Sequence, residues 1–188
     1  MEILPAASFP RVAWKNGGGV TDVVAVAGGE RPAWRVSVAR IDRDGPFSDF
    51  DGYDRTIVQL SGGPVALAFA SGDVRRLAPL APFPFAGEAA VEARLAGQPA
   101  IDLNVMTLRQ THRHDVAVIG FGENGLAVEA GDVCGLLYLT DGTAAIDGEI
   151  ARASDAIRLD PGSQAIVEAR GGPATAILVR IFEAPPSR

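Results

Sequence analysis

Much of this chain consists of short runs in which apolar and polar residues alternate, or in which valine, isoleucine and leucine follow one another, cut apart by glycine and proline. In Trp34-Arg35-Val36-Ser37-Val38 the apolar side chains fall on one face of an extended strand, and Arg35 and Ser37 on the other. The same parity recurs in Ile101-Asp102-Leu103-Asn104-Val105-Met106, where Asp102, Asn104 and Met106 share the face opposite Ile101, Leu103 and Val105. Further strands are predicted at 20–26, 56–60, 65–70, 116–121, 126–130, 133–140, 156–159, 165–168 and 174–182. Between 88 and 95 the apolar spacing fits a turn or two of helix as well as it fits a strand. Many short strands with frequent turn signals predict an all-β protein, a sandwich or small barrel.

The turns sharpen this expectation. Asp160-Pro161-Gly162-Ser163 ends one strand and precedes another, with proline presetting the first turn angle and glycine accepting a positive φ at the next. Cupin-type jelly rolls often use such a corner. Gly45-Pro46-Phe47-Ser48 is a looser counterpart in the first half, which hints at a duplicated barrel.

With 188 residues the chain can form one domain, or two small ones sharing a core. Its net charge is -6 and its sixteen arginines are scattered, so it has no basic stripe suited to nucleic acid. No apolar run approaches the roughly 20 residues that span a bilayer. The N-terminus lacks a basic stretch leading into a long apolar one, so a cytoplasmic location is expected. The single cysteine, Cys134, lies inside an apolar run and reads as a buried thiol.

The only lysine stands in Trp14-Lys15-Asn16-Gly17-Gly18-Gly19. A phosphate-binding loop would place the lysine after the glycines and a helix behind it, whereas here a strand-like run follows. The glycines instead suit a turn or bulge that lets the backbone approach a ligand or another strand, with Trp14 and Lys15 projecting from it. His112 and His114 share one strand face, as at the start of a cupin ligand set, but no third histidine follows. Asp115 or Glu123 would have to complete a metal site. No serine or cysteine nucleophile is marked by its local sequence, and no metal or other cofactor is expected.

Four segments together carry a resemblance: Trp14 to Gly19 with Thr21, Trp34 to Ala39, Gly45 to Arg55, and Asp102 to Met106. In order and wording they resemble the HutD/Ves family. The resemblance implies a bicupin-like fold, two fused jelly-roll (double-stranded β-helix) barrels without the cupin metal ligands, in one compact unit with approximate halves 1–110 and 111–188. It further implies a non-catalytic regulator or limiter of histidine utilisation that binds a small acidic metabolite, with formiminoglutamate or urocanate the proposed ligands. The candidate ligand-binding set is Trp14, Lys15, Asn16, Arg35, Ser37, Phe47, Arg55, Asp102, Asn104 and Met106. If the two polar strand faces meet in one barrel, cations grip carboxylates above a mixed donor and acceptor floor. Three alternatives stand beside this. Arg35 or Arg55 could close an ion pair with Asp102 and leave no cavity. A cupin-like enzyme could act on the same metabolite through the histidines or through Asp102 as a base. Barrel edges could pair to form a homodimer.

Overall fold

The structure, a computed structural model, describes residues 1–14 and 17–185. β1 (Glu2–Leu4) and a 3-10 turn (Ala6–Ser8) precede β2 (Arg11–Ala13), β3 (Gly19–Ala27), β4 (Trp34–Ile41), β5 (Gly45–Pro46) and β6 (Tyr53–Gly62). Next come β7 (Val65–Phe69), β8 (Val74–Arg76), β9 (Phe83–Ala86), β10 (Val91–Leu95) and β11 (Ala100–Leu108). The chain continues through β12 (His112–Phe121), β13 (Leu126–Glu129), β14 (Cys134–Asp141), β15 (Thr143–Ile146), β16 (Glu149–Arg152), β17 (Ala156–Leu159), β18 (Gln164–Ala169) and β19 (Ala174–Glu183). The fold is all-β. Among the described residues no helix is long and apolar enough to cross a membrane.

The chain divides into two compact units, Pro10–Thr111 and Met1–Phe9 with everything from His112 onward. Halves of 1–110 and 111–188 differ from this division at the N-terminus. β1 pairs antiparallel with β17, Ile3 opposite Ile157, and so belongs to the second unit. Three residues of strand carry no local sign of so distant a partner.

In the unit Pro10–Thr111 a six-stranded sheet, ordered β2-β3-β4-β11-β6-β9, and a four-stranded sheet, β5-β10-β7-β8, share an apolar core. Ile41, Ile57 and Ala100 of the larger sheet pack with Val65, Leu67, Val91 and Ala93 of the smaller. The other unit repeats the scheme with β1-β17-β14-β19-β12 and β13-β18-β15-β16 around Leu137, Leu139, Ile146, Ile157, Val167 and Leu178. Its Pro-Gly corner joins β17 to β18, which lie in different sheets, with Gly162 at φ +63°. The ambiguous segment 88–95 resolves into a turn followed by β10. Strands β2, β5, β8 and β9 escape the sequence pattern because they are short edge strands of two to four residues. Pro84 within β9 is tolerated because that strand lies at the sheet edge, where one side needs no ladder donor.

The glycine run turns the chain from β2 into β3. Gly17 adopts φ +65° and donates to the Trp14 carbonyl at 2.9 Å. Gly19 lies so close to β4 that a Cβ there would stand 2.2 Å from the Arg40 carbonyl oxygen and 3.3 Å from the Trp14 ring. Backbone cannot yield as a side-chain tip would, so Gly19→Ala is expected to cost about 2–3 kcal/mol, as other overpacking substitutions do. Urea unfolding of the two proteins measures this; superimposable curves would refute it.

Candidate functional site

The six-stranded sheet arranges its inward side chains in rows, because directly paired residues of antiparallel strands point to the same face. One row runs Thr21, Ala39, Asp102, Gln59 across β3, β4, β11 and β6. The next runs Val23, Ser37, Asn104, Ile57. The third holds Arg35, Met106 and Arg55, with Phe85 beside Arg55 on β9. Below the first row, Ile41 and Ala100 belong to the apolar core. Above it a cavity of about 510 Å³ opens.

Its floor and sides are Thr21, Val23, Arg35, Ser37, Ala39, Arg55, Asp102 and Asn104 of the sheet. Val12, Ala13 and Trp14 form one wall, and Pro46, Phe47, Ser48 and Phe50 the facing one. Trp14 is held by its indole N–H, which donates to Thr21 Oγ1 at 2.8 Å, and meets Phe47 edge-on at 6.4 Å. Phe50 is fixed by its backbone N–H, which donates to Gly87 O at 3.0 Å, while Gly87 N–H donates to Tyr53 O at 2.7 Å.

Two guanidinium groups share the Phe50 ring, Arg35 at 5.3 Å from its centroid and Arg55 at 5.2 Å. Arg55 also lies 4.7 Å from the Phe85 centroid and 5.4 Å from that of Phe47. Such ring faces stabilise a desolvated cation. Arg55 donates through Nη2 to Asn104 Oδ1 at 2.9 Å, and Asn104 donates through Nδ2 to Asp102 Oδ1 at 2.6 Å. The amide thus stands between the two charges. The direct ion pair of Arg35 or Arg55 with Asp102 does not form among the described residues, and the network is open: Arg35 makes no side-chain hydrogen bond to any of them. A closed network would have left no cavity.

Burial sets the protonation of the site. It pushes the Asp102 carboxyl up from 3.8 to about 7, against the Asn104 amide and the Arg55 charge, which both pull it down. Burial lowers the Arg55 guanidinium to about 10, with Asp102 opposing the drop and Arg35 adding to it. Arg35 is lowered by burial as well. Both arginines stay charged at neutral pH. The cavity therefore holds two cations and at most one carboxylate.

Of the ten candidate residues, Trp14, Arg35, Ser37, Phe47, Arg55, Asp102 and Asn104 line this cavity. Met106 does not: it is buried between the two arginines in the third row. Lys15 and Asn16 lie outside the described residues. Sequence reasoning passed over Ala39, which the parity of Arg35 and Ser37 places on the same face. It also passed over Phe50, whose loop position no alternation reports; Gln59, beside Asp102 on β6, does not line the cavity. The histidines stand at the start of β12 in the other unit. Asp115 is drawn into an ion pair with Arg180, and among the described residues no group of three or more His, Cys, Asp or Glu could hold a metal. Cys134 is buried, and burial raises its thiol, as expected of a structural cysteine.

The HutD family profile matches residues 6–180, nearly the whole chain. The chain belongs to the HutD family. A relative from Pseudomonas putida, described as an uncharacterized 21.2 kDa protein in the hutC 3' region, is 37% identical over 116 residues, 60% of this chain and 61% of its own. Protein Ves from Citrobacter koseri is 37% identical over 121 residues, 63% of each chain. These curated relatives are thus matched over about three-fifths of their length. The structure of HutD from Pseudomonas fluorescens SBW25 superimposes with a TM-score of 0.86 at 25% identity, covering 98% of this chain and 99% of that one. The bacterial pirin YhhW of Escherichia coli, at 12% identity, shares the fold alone, with a TM-score of 0.67 over 99% of both chains. The HutD match spans all four sheets, the cavity-bearing one included.

Proposed function

We propose that this HutD protein binds a small acidic metabolite in the cavity, as a non-catalytic regulator or limiter of histidine utilisation, with formiminoglutamate and urocanate the leading ligands. The observation that carries the proposal is the pair of charged guanidiniums around Phe50, of which Arg35 has no acceptor among the described residues. A partly buried guanidinium without a carboxylate partner invites one from solution, and its planar fork suits that group. The membership in the HutD family and the position of a relative in a hutC 3' region support the pathway. The fold belongs to the same proposal: each unit, with its two antiparallel sheets around one core, reads as a cupin-like jelly-roll barrel, and the pirin likeness supports this.

The test is a thermal-shift and calorimetry panel of formiminoglutamate, urocanate, histidine, glutamate and neutral sugars. A ligand at a hundred times its dissociation constant adds about 2.7 kcal/mol, which raises the melting temperature of a protein this size by several degrees. The expected result is a shift for formiminoglutamate or urocanate and none for sugars, with the acid recovered unchanged by mass spectrometry after long incubation. No shift for any acid would overturn the proposal, and turnover would transfer it to a cupin-like enzyme.

A further inference from the structure

Among the strands at sheet edges, β12 stands apart. It has ten residues, whereas every other edge strand has two to four. Each of its residues pairs with β19 without a shift in register, from His112 opposite Glu183 to Phe121 opposite Ala174. It contains no proline and no lysine. Short length, bulges, proline and lysine are the devices that keep a sheet edge from recruiting another strand, and β12 has none of them. The topology of the two units points the same way. β19, the last strand of its unit, lies between β12 and β14, as β11, the last of its own, lies between β4 and β6. Beyond β4 comes β3, nine residues long and paired from Gly19 opposite Ile41 to Ala27 opposite Trp34. Beyond β12 the described residues place no strand.

Backbone direction decides which groups face that gap. Along an antiparallel strand the N–H and C=O of successive residues turn to alternate sides. In β19 the Ile181 carbonyl accepts from Val133 and the Glu183 N–H donates to Asp132, both on the side of β14. The alternate residues Ala176, Leu178 and Arg180 therefore turn toward β12, where they bond Ile119, Ala117 and Asp115. Val116, Val118 and Gly120 are left with N–H and C=O directed away from the sheet, and no described residue makes a backbone hydrogen bond to them. Burial agrees. Val116, Ala117, Val118 and Ile119 are each half-buried, whereas Cys134 to Leu139 of β14, flanked on both sides, are all buried.

We infer that this edge pairs with the same edge of a second copy of the chain, antiparallel about a two-fold axis through Ala117, joining the five-stranded sheets of two molecules into one. Val116-Ala117-Val118 reads the same in both directions, as a contact between identical surfaces requires. Val116 then exchanges backbone bonds with the partner's Val118, and Ala117 faces the partner's Ala117. The charges fit this arrangement. Arg113 and Asp115 both lie near the start of β12, so the antiparallel pairing sets them opposite the partner's Phe121 and Ile119 and brings no like charges together. A parallel pairing in register would oppose Arg113 to Arg113 and Asp115 to Asp115. Each charge is also already accommodated within its own chain, Arg113 over the Phe182 ring at 4.4 Å and Asp115 in its ion pair with Arg180. Any extended segment would gain the backbone bonds, but the palindrome and the placement of charge match this strand's own sequence.

Sedimentation velocity on the full chain, from micromolar concentration upward, tests the pairing. The expected species is a concentration-dependent dimer of twice the 19.5 kDa chain. Val118→Pro and Gly120→Pro each remove an N–H that faces the gap and leave the ladder to β19 in place; a Cβ at Gly120 meets nothing within 4 Å, and edge strands tolerate proline. Each substitution should weaken the dimer by roughly tenfold or more, because the two-fold axis loses every such bond twice, with the circular dichroism spectrum unchanged. A wild-type chain that stays monomeric, or folded variants that dimerise as well as wild type, would overturn the inference. Hydrogen exchange on the wild-type protein decides without any variant. The Val116, Val118 and Gly120 amides should slow as concentration rises, with the Ala117 amide, bonded to β19, as internal reference; fast exchange of the three at every concentration would overturn the pairing.

Discussion

Arg35→Met is expected to lower the affinity for the bound acid by on the order of 100-fold, about 3 kcal/mol, without lowering the melting temperature of the free protein. The two effects separate because Arg35 holds nothing in place. Its guanidinium makes no hydrogen bond to a described residue, its Nε is orphaned, and its contact with the site is the Phe50 ring 5.3 Å away. Methionine keeps the apolar stem against that ring and removes a cation whose burial is unfavourable. Arg55→Met should behave differently. That side chain supplies the donor for Asn104 Oδ1 and stacks near three phenylalanine rings, so its loss strands a polar atom and should cost about 1–3 kcal/mol in stability as well as affinity. Calorimetric titration and thermal melts of the two variants provide the comparison. If Arg35→Met melts well below wild type and binds as before, Arg35 is a structural residue.

Asp102→Asn is expected to stabilise the free protein above neutral pH and to change little in acid. The carboxyl has its folded-state value raised from 3.8 to about 7, chiefly by burial. Between those values the folded protein keeps a proton that the unfolded chain has released. Rising pH therefore withdraws stability through that window, and the loss is complete once the pH exceeds about 7. A shift of this size corresponds to up to about 4 kcal/mol. Asparagine does not titrate, and its carbonyl can still accept from Asn104, so the advantage of the variant grows from pH 4 to pH 7 and then levels off. Urea unfolding at pH 4, 6 and 8 measures it. Parallel stability profiles for the two proteins would show that Asp102 carries no such cost. A residue that weakens the free protein at working pH, yet sits at the floor of the cavity, fits a role in holding a ligand.

Both predictions concern residues that alternation alone had placed. The polar members of Trp34-Arg35-Val36-Ser37-Val38 and Ile101 to Met106 fall on one face because strand side chains alternate strictly, and β4 and β11 are neighbours in register, Ser37 opposite Asn104. Parity is a local property, so it can be read without knowing the partner strand. Arg55 was also legible as a cation flanking the strand expected at 56–60, which in the structure begins earlier, at Tyr53. Phe50 and Gln59 were not. The ring reaches the two cations because Gly87, more than thirty residues later, holds the Phe50 backbone. Gln59 matters only once β6 pairs with β11 and sets it beside Asp102.

By itself, then, the sequence determined the all-β class, most of the longer strands and their polar faces, and the four segments shared with the HutD family, all of which follow from periodicity, turn chemistry and local wording. Tertiary structure alone decided that Arg55 meets Asp102 through Asn104 rather than as a direct ion pair. It also decided that β1 pairs with β17, and so belongs to the unit that resumes at His112, and that Gln59 stands beside Asp102. Those outcomes depend on strand order and register, which arise from contacts between residues distant in the chain and leave no trace in the residues on either side of each one.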